Sequence, residues 1–327
     1  MNNLLRSTSA TVVLTLLFGV GIGVSIGVFV PHHNTAECEA QYQFLNASVV
    51  CGEETVLEKT SYRELRERIE ERISTKQKEG GLQQGAVYFR DLRQGPVFGI
   101  NETMDFAPAS LMKLPIALVY LDAAEQQPEL LDAKMQFEGE TAVKSQRLKP
   151  EESAQPGTPY PIKELLRLML TYSDNASYEA LEAFLEKTPA RTELRLKTLQ
   201  ELGFIDPRNQ SVRTVSVRGY AALLILLYNA TYLDAEYSES VLSWLRDSPF
   251  REGIVAGVPD TVAVAHKFGE RLHEDDSKEL HDCGIIYYPG NPYSLCVMTL
   301  GTDWEVQRAL IRDISDMVYS EVDSRRL

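Results

Sequence analysis

The sequence predicts an α+β domain: one antiparallel sheet built from both chain ends, flanked by helices and interrupted by an all-helical insertion. Three observations carry this. An amphipathic helix and two short alternating runs come first, five helical segments follow with no strand among them, and three alternating runs then lead into a last amphipathic helix. The order helix, strands, helices, strands, helix fits one sheet shared by the early and late strands.

The chain opens outside that domain. Residues 1–9 form a short tail with Arg6 as its one charge, and residues 11–30 are an uncharged apolar run long enough for a membrane-crossing helix of about 20 residues. Pro31-His32-His33-Asn34 does not resemble a small-x-small cleavage site, so residues 10–30 read as a single-pass anchor; secretion after cleavage is the alternative. Arg6 before the run, with Glu37 and Glu39 after it, places the tail in the cytoplasm and the bulk of the chain outside the cell. Residues 31–60 read as a stalk and 61–327 as the folded domain. Cys38 and Cys51 bracket a segment of the stalk that a disulfide could close, which suits an oxidising exterior.

Within the domain, Tyr62, Leu65, Ile69 and Ile73 line one face of a helix that Gly80-Gly81 ends. Residues 85–90 and 96–100 alternate like strands around the turn Asp91 to Gly95. A helix starts near Ser110, where Pro115 should cost a backbone hydrogen bond unless the helix begins at about Leu111. Residues 132–161 are rich in polar and turn residues and should form short pieces and loops. Helical periodicity covers 162–170, 177–185, 192–202, 217–228 and 238–246; strands are expected at 261–268, 281–288 and 293–300. With Tyr288 opposite Tyr293, Cys283 would face Met298 and stand diagonal to Cys296, so both cysteines are expected as free buried thiols. Trp304, Leu310, Ile314, Met317 and Val318 mark the final helix.

Three motifs carry chemistry. In Ser110-Leu-Met-Lys113, a spacing of three puts a hydroxyl and an amine on one helix face, and apolar neighbours should lower the pKa of the lysine towards that of a usable base. At a helix start, free N–H groups also favour a developing negative charge. About one Ser-x-x-Lys arises by chance in a chain of this size, so this motif alone decides nothing. Ser173-Asp174-Asn175, at the break between two predicted helices, is rarer, and Lys267-Phe268-Gly269 ends a strand with a glycine that allows close backbone approach.

Together, in this order and near these spacings, the motifs resemble those of the class A β-lactamases and related penicillin-recognising serine hydrolases: Ser-x-x-Lys, Ser-Asp-Asn and Lys-Thr-Gly. The resemblance covers about residues 61–327 and implies the β-lactamase/transpeptidase-like form of the α+β fold. It implies that Ser110 is the acylated nucleophile, that Lys113 takes its proton, and that Ser173 passes a proton to the departing amine. Asn175 would hold the substrate amide and Lys267 would supply positive potential. Gly269 and Glu270 would line the substrate, with the backbone N–H groups of Ser110 and Glu270 as the oxyanion hole. The implied partner is a β-lactam or a peptidoglycan stem peptide ending in D-alanine. The alternatives are a D,D-peptidase or transpeptidase with little β-lactam turnover and a catalytically silent wall-binding homologue.

Two departures stand against full β-lactamase activity. Phe268 replaces the hydroxyl residue of the third motif, although strand alternation puts it on the face opposite Lys267, where it can fill the core. The family's Glu-x-x-Leu-Asn stretch, whose glutamate activates the deacylating water, has no counterpart between Gly203 and Val217; the one carboxylate there, Asp206, reads as a turn residue before Pro207. Other classes fit poorly. A net charge of −14 argues against nucleic acid, and no cofactor motif occurs. His266, His273 and His281 lack metal-ligand spacing, and Glu274 to Asp276 read as a solvated loop.

Overall fold

The computed structural model describes residues 43–46, 62–93, 95, 97–136, 147–206, 208, 211 and 214–325. The apolar run at 10–30 and the Cys38/Cys51 pair lie outside them. Among the described residues, no helix is long and apolar enough to cross a membrane.

Helix α1 (Arg63–Glu79) leads into β1 (Leu82–Asp91) and β2 (Val97–Ile100). A 3-10 turn, Ala109–Met112, runs directly into α2 (Lys113–Gln126), and a small two-stranded sheet of β3 (Lys134–Gln136) and β4 (Pro159–Pro161) holds the loop-rich stretch. The helical block is α3 (Ile162–Thr171), α4 (Asn175–Glu186), α5 (Pro189–Glu201), α6 (Val217–Tyr228) and α7 (Ala235–Arg246). The chain ends with β5 (Val264–Leu272), β6 (Lys278–Ile286), β7 (Tyr293–Gly301) and α8 (Trp304–Ser324).

The main sheet has the order β2-β1-β7-β6-β5, with every neighbouring pair antiparallel, so its early and late strands join where β1 meets β7. Side chains alternate across it. Leu280 and Ile286 of β6 pack into a core with Leu65, Ile69 and Ile73 of α1 and Leu310 and Ile314 of α8, whereas Cys283 and Ile285 pack into the core of the helical block. Helix α2 is apolar on every side, as a helix surrounded by protein must be, with Leu114, Ile116, Leu118 and Leu121 fully buried. Tyr42–Leu327 forms one compact unit.

Two expectations change. The last hairpin pairs Ile286 with Tyr293, not Tyr288, because its loop is two residues longer than its Pro-Gly-Asn-Pro centre suggests. That register sets Cys283 directly opposite Cys296, and the two are joined by a disulfide instead of remaining free thiols. Part of the stretch read as stalk is also docked on the domain. Phe44 is buried against the Tyr287 ring, its carbonyl accepts from the Tyr287 hydroxyl at 2.9 Å, and Glu239 accepts from the Gln43 and Phe44 N–H groups.

Candidate active site

The approach to Ser110 is clamped from two sides. Phe106 and Val215 exchange both backbone hydrogen bonds, at 3.0 and 2.9 Å. From β6, Glu279 accepts from the Ala107 N–H at 3.2 Å, and the Nε2 of His281 donates to the Ala107 carbonyl at 3.0 Å. Ala109 then takes φ +48°, a conformation that costs an L-residue energy and turns the chain sharply into the 3-10 helix carrying Ser110. Pro115 in the first turn of α2 offers no N–H to Leu111, whose carbonyl accepts from the Tyr220 hydroxyl instead, at 3.2 Å.

Lys113, the first residue of α2, is 3 % exposed. Its Nζ donates to the Ser173 carbonyl, to Ser173 Oγ at 3.1 Å and to Asn175 Oδ1 at 2.6 Å. Burial pulls its pKa down to about 7, against the opposing pull of the Asp174 and Glu270 charges. On β5, Lys267 is also buried and reaches the same hydroxyl: its Nζ lies 2.9 Å from Ser173 Oγ and 2.9 Å from the Phe268 carbonyl. Burial, then the Lys113 charge, holds its pKa well below the ordinary lysine value. Two lysines from opposite sides of the cleft thus share one serine oxygen.

That oxygen is fixed by the next residue. Asp174 caps α4, accepting from the N–H groups of Ala176 and Ser177 at 3.3 and 2.9 Å, and it also receives Ser177 Oγ, Ser153 Oγ and the Ala154 N–H. The cap starts α4 two residues beyond Ser173, which sits at φ +55° on the turn from α3. Asn175 starts α4.

Above the lysines lies a cavity of about 260 Å³, lined by Ser110, Ser173, Asn175, Phe268 and Glu270 among the predicted site residues and their neighbours. Gly269 faces the nucleophile's helix. A Cβ there would come within 3.1 Å of the Leu111 side chain and 3.2 Å of its backbone nitrogen, so a larger residue would press the edge strand and the helix of Ser110 apart by a few tenths of an ångström. Phe268 stacks on Phe250 with centroids 4.2 Å apart and has the Lys267 ammonium 4.4 Å from its ring centre. The ring is thus core, as strand alternation implied, yet it also borders the lysine.

Sequence reasoning missed other lining residues: Arg147, Arg271, Leu272 and Trp304. Arg147 stands over the Trp304 ring at 4.6 Å and pairs with Glu270 at 3.1 Å, while Glu270 also accepts from the Leu148 N–H at 2.9 Å. No local pattern announces them, since three separate segments meet there. Glu270, selected for its N–H, is also the one carboxylate on this wall among the described residues. Asp206 is a turn residue, bonding the N–H and guanidinium of Arg208.

A family model described as the β-lactamase enzyme family matches residues 64–322. None of the curated proteins compared matches the chain. Similar solved structures include PBP-A, at 21 % identity over 82 % of this chain and all of the other, with a TM-score of 0.66; a PBP-A mutant was captured as an acyl-enzyme with penicillin G. A class A β-lactamase from Mycobacterium abscessus is 22 % identical over 78 % of this chain and 99 % of its own, with a TM-score of 0.63. The extended-spectrum β-lactamase TLA-3 is 18 % identical over 80 % of this chain and 99 % of its own, with a TM-score of 0.67. At these identities the structures show a shared fold.

Proposed function

Since the chain belongs to the β-lactamase enzyme family, and so to serine hydrolases that work through an acyl-enzyme, we propose that Ser110 is acylated by a β-lactam or a D-alanyl peptide. The observation that carries the proposal is the convergence of Lys113 and Lys267 on Ser173 Oγ beneath the cavity that Ser110 lines.

The neutral amine of Lys113 takes the Ser110 proton as Oγ attacks the carbonyl carbon. The oxyanion forms at the N–H groups of Ser110 and Glu270. As the C–N bond breaks, the proton held by Lys113 is relayed through Ser173 to the departing nitrogen, and Lys267 holds the Ser173 oxygen in place. Asn175 positions the substrate amide, and Gly269 allows the strand to lie alongside it.

Hydrolysis then needs an activated water. Glu270 is the carboxylate at hand, but it is engaged by Arg147 and the Leu148 N–H. This favours an acyl-enzyme that deacylates slowly, as in a penicillin-binding peptidase or transpeptidase, over a fast β-lactamase. The apolar run at residues 10–30 and the positive-inside tendency support a membrane-anchored enzyme working outside the cytoplasm on cell-wall peptides.

The test is intact-mass analysis of the full-length chain after penicillin treatment, with Ser110→Ala alongside. A persistent adduct on the wild type alone is expected. Fast drug hydrolysis would overturn the slow-deacylation reading, and an adduct on the alanine variant would remove Ser110 from its role. No adduct, with muropeptide binding equal in both proteins, would leave a silent wall-binding module.

A further inference from the structure

Beside the catalytic cavity, and sharing Arg147 with it, lies a second cavity of about 590 Å³. We infer that it is an anion-binding subsite for a carboxylate or phosphate group. In a chain whose net charge is −14, four arginines converge on it: Arg147, Arg251, Arg308 and Arg312. They come from three separate stretches, ahead of β4, between α7 and β5, and one turn apart on α8. Two carboxylates, Glu252 and Glu305, share the wall, and each arginine already holds a carboxylate partner.

The arrangement suits an exchangeable anion. The Arg308 side chain is only 14 % exposed and is gripped by Glu252 at 3.1 Å and by Glu305, whose own side chains are 57 % and 80 % exposed. Arg251 pairs with the exposed Asp260, and Arg312 with Asp313, which also holds Arg72; both distances are 2.9 Å. Pairs with exposed carboxylates such as Glu252, Glu305 and Asp260 contribute little, so an incoming anion displaces these carboxylates at small cost and accepts two hydrogen bonds at once from a planar guanidinium fork. Trp304 holds Arg147 at the boundary, so an anion here lies next to whatever occupies the catalytic cavity. The anion could be borne by the substrate or arrive free.

Calorimetric titration of the full-length protein with citrate and with inorganic pyrophosphate, at physiological salt, tests the site. At least one probe is expected to bind with a dissociation constant at or below about 1 mM. Arg251→Gln with Arg312→Gln should weaken that binding at least tenfold, and Glu252→Gln with Glu305→Gln, at exposed positions that tolerate change, should tighten it severalfold. Binding of neither probe, or binding indifferent to the glutamate pair, overturns the inference. The source is separated by how well succinyl- and acetyl-capped D-Ala-D-Ala peptides protect Ser110 from penicillin. At least tenfold better protection by the succinyl peptide means the anion travels with the substrate, and equal protection means that it binds free. Only this last arm rests on the acyl-enzyme reading; absence of a penicillin adduct would refute that reading and leave the titration standing.

Discussion

On the proposed mechanism, the acylation rate follows the neutral fraction of Lys113, and burial sets where that fraction rises. With its pKa at about 7, the neutral amine is about 9 % of the population at pH 6 and about 91 % at pH 8, so second-order acylation of Ser110 should rise about tenfold over that interval and then level off. A lysine of ordinary pKa would behave differently: its neutral fraction would still climb about tenfold per pH unit beyond pH 8. The assay is the initial rate of adduct formation by a fluorescent penicillin between pH 5.5 and 9. Lys113→Arg is measured alongside, because a guanidinium stays protonated throughout. That variant should lose about 10²- to 10⁴-fold in rate and show no rise near neutrality. A wild-type profile flat across the range, or one still rising in proportion to hydroxide at pH 9, would refute the assignment of Lys113 as a base tuned by desolvation.

The same burial links folding to pH. The unfolded chain holds a proton on Lys113 that the native state has released between pH about 7 and the ordinary lysine range, so this group makes the protein more stable as pH rises through that window; urea titrations at pH 7 and 9, with and without Lys113→Met, isolate its contribution. Gly269→Ala should cost about 1–3 kcal/mol, because its Cβ meets Leu111 at 3.1 Å, and should slow acylation by about 10²-fold as the edge strand moves off Ser110. Equal rates in wild type and variant would show that the strand's position is not critical. Replacing both Cys283 and Cys296 by Ala should lower unfolding free energy by about 3 kcal/mol in denaturant titrations. Phe268→Ala should cost about 3–5 kcal/mol if its stack on Phe250 is core packing, and a variant that melts with the wild type would show otherwise.

The legible parts were those written in local pattern. Alternation and helical periodicity place the strands and the helical block, because each element buries one face and the burial is recorded every two or every 3.6 residues. The three motifs are legible for a related reason: Ser110 and Lys113 lie within one turn, Ser173 and Asn175 flank a capping aspartate, and Gly269 is required by a close backbone contact. What was hidden depends on contacts between distant segments. The hairpin register turned on whether a loop holds four residues or six, and that difference alone decides whether Cys283 meets Cys296 or stands diagonal to it. Glu279 and His281, which grip Ala107 from β6, read as an ordinary acidic residue and an ordinary histidine until the sheet brings them within reach.

On the proposed mechanism, acylation and deacylation rest on different devices in this cleft. Acylation needs a base, a proton relay and an oxyanion site, and the candidates for all three are held by the rigid parts of the fold: the start of α2, the cap of α4 and the edge strand. Deacylation needs a carboxylate free to polarise water. Glu270 has both oxygens engaged, one by the Leu148 N–H and the other by Arg147, which itself rests on Trp304. A carboxylate held by two such bonds is not free to turn towards a water beside the acyl group. On the proposed mechanism, the segment that supplies Arg147 and Leu148 keeps Glu270 from serving as the general base. The same segment borders the arginine cavity, so an anion that draws Arg147 away from Glu270 would also loosen the restraint on that carboxylate. Binding in the second cavity and the lifetime of the acyl-enzyme should then be coupled, and the coupling runs through a single guanidinium.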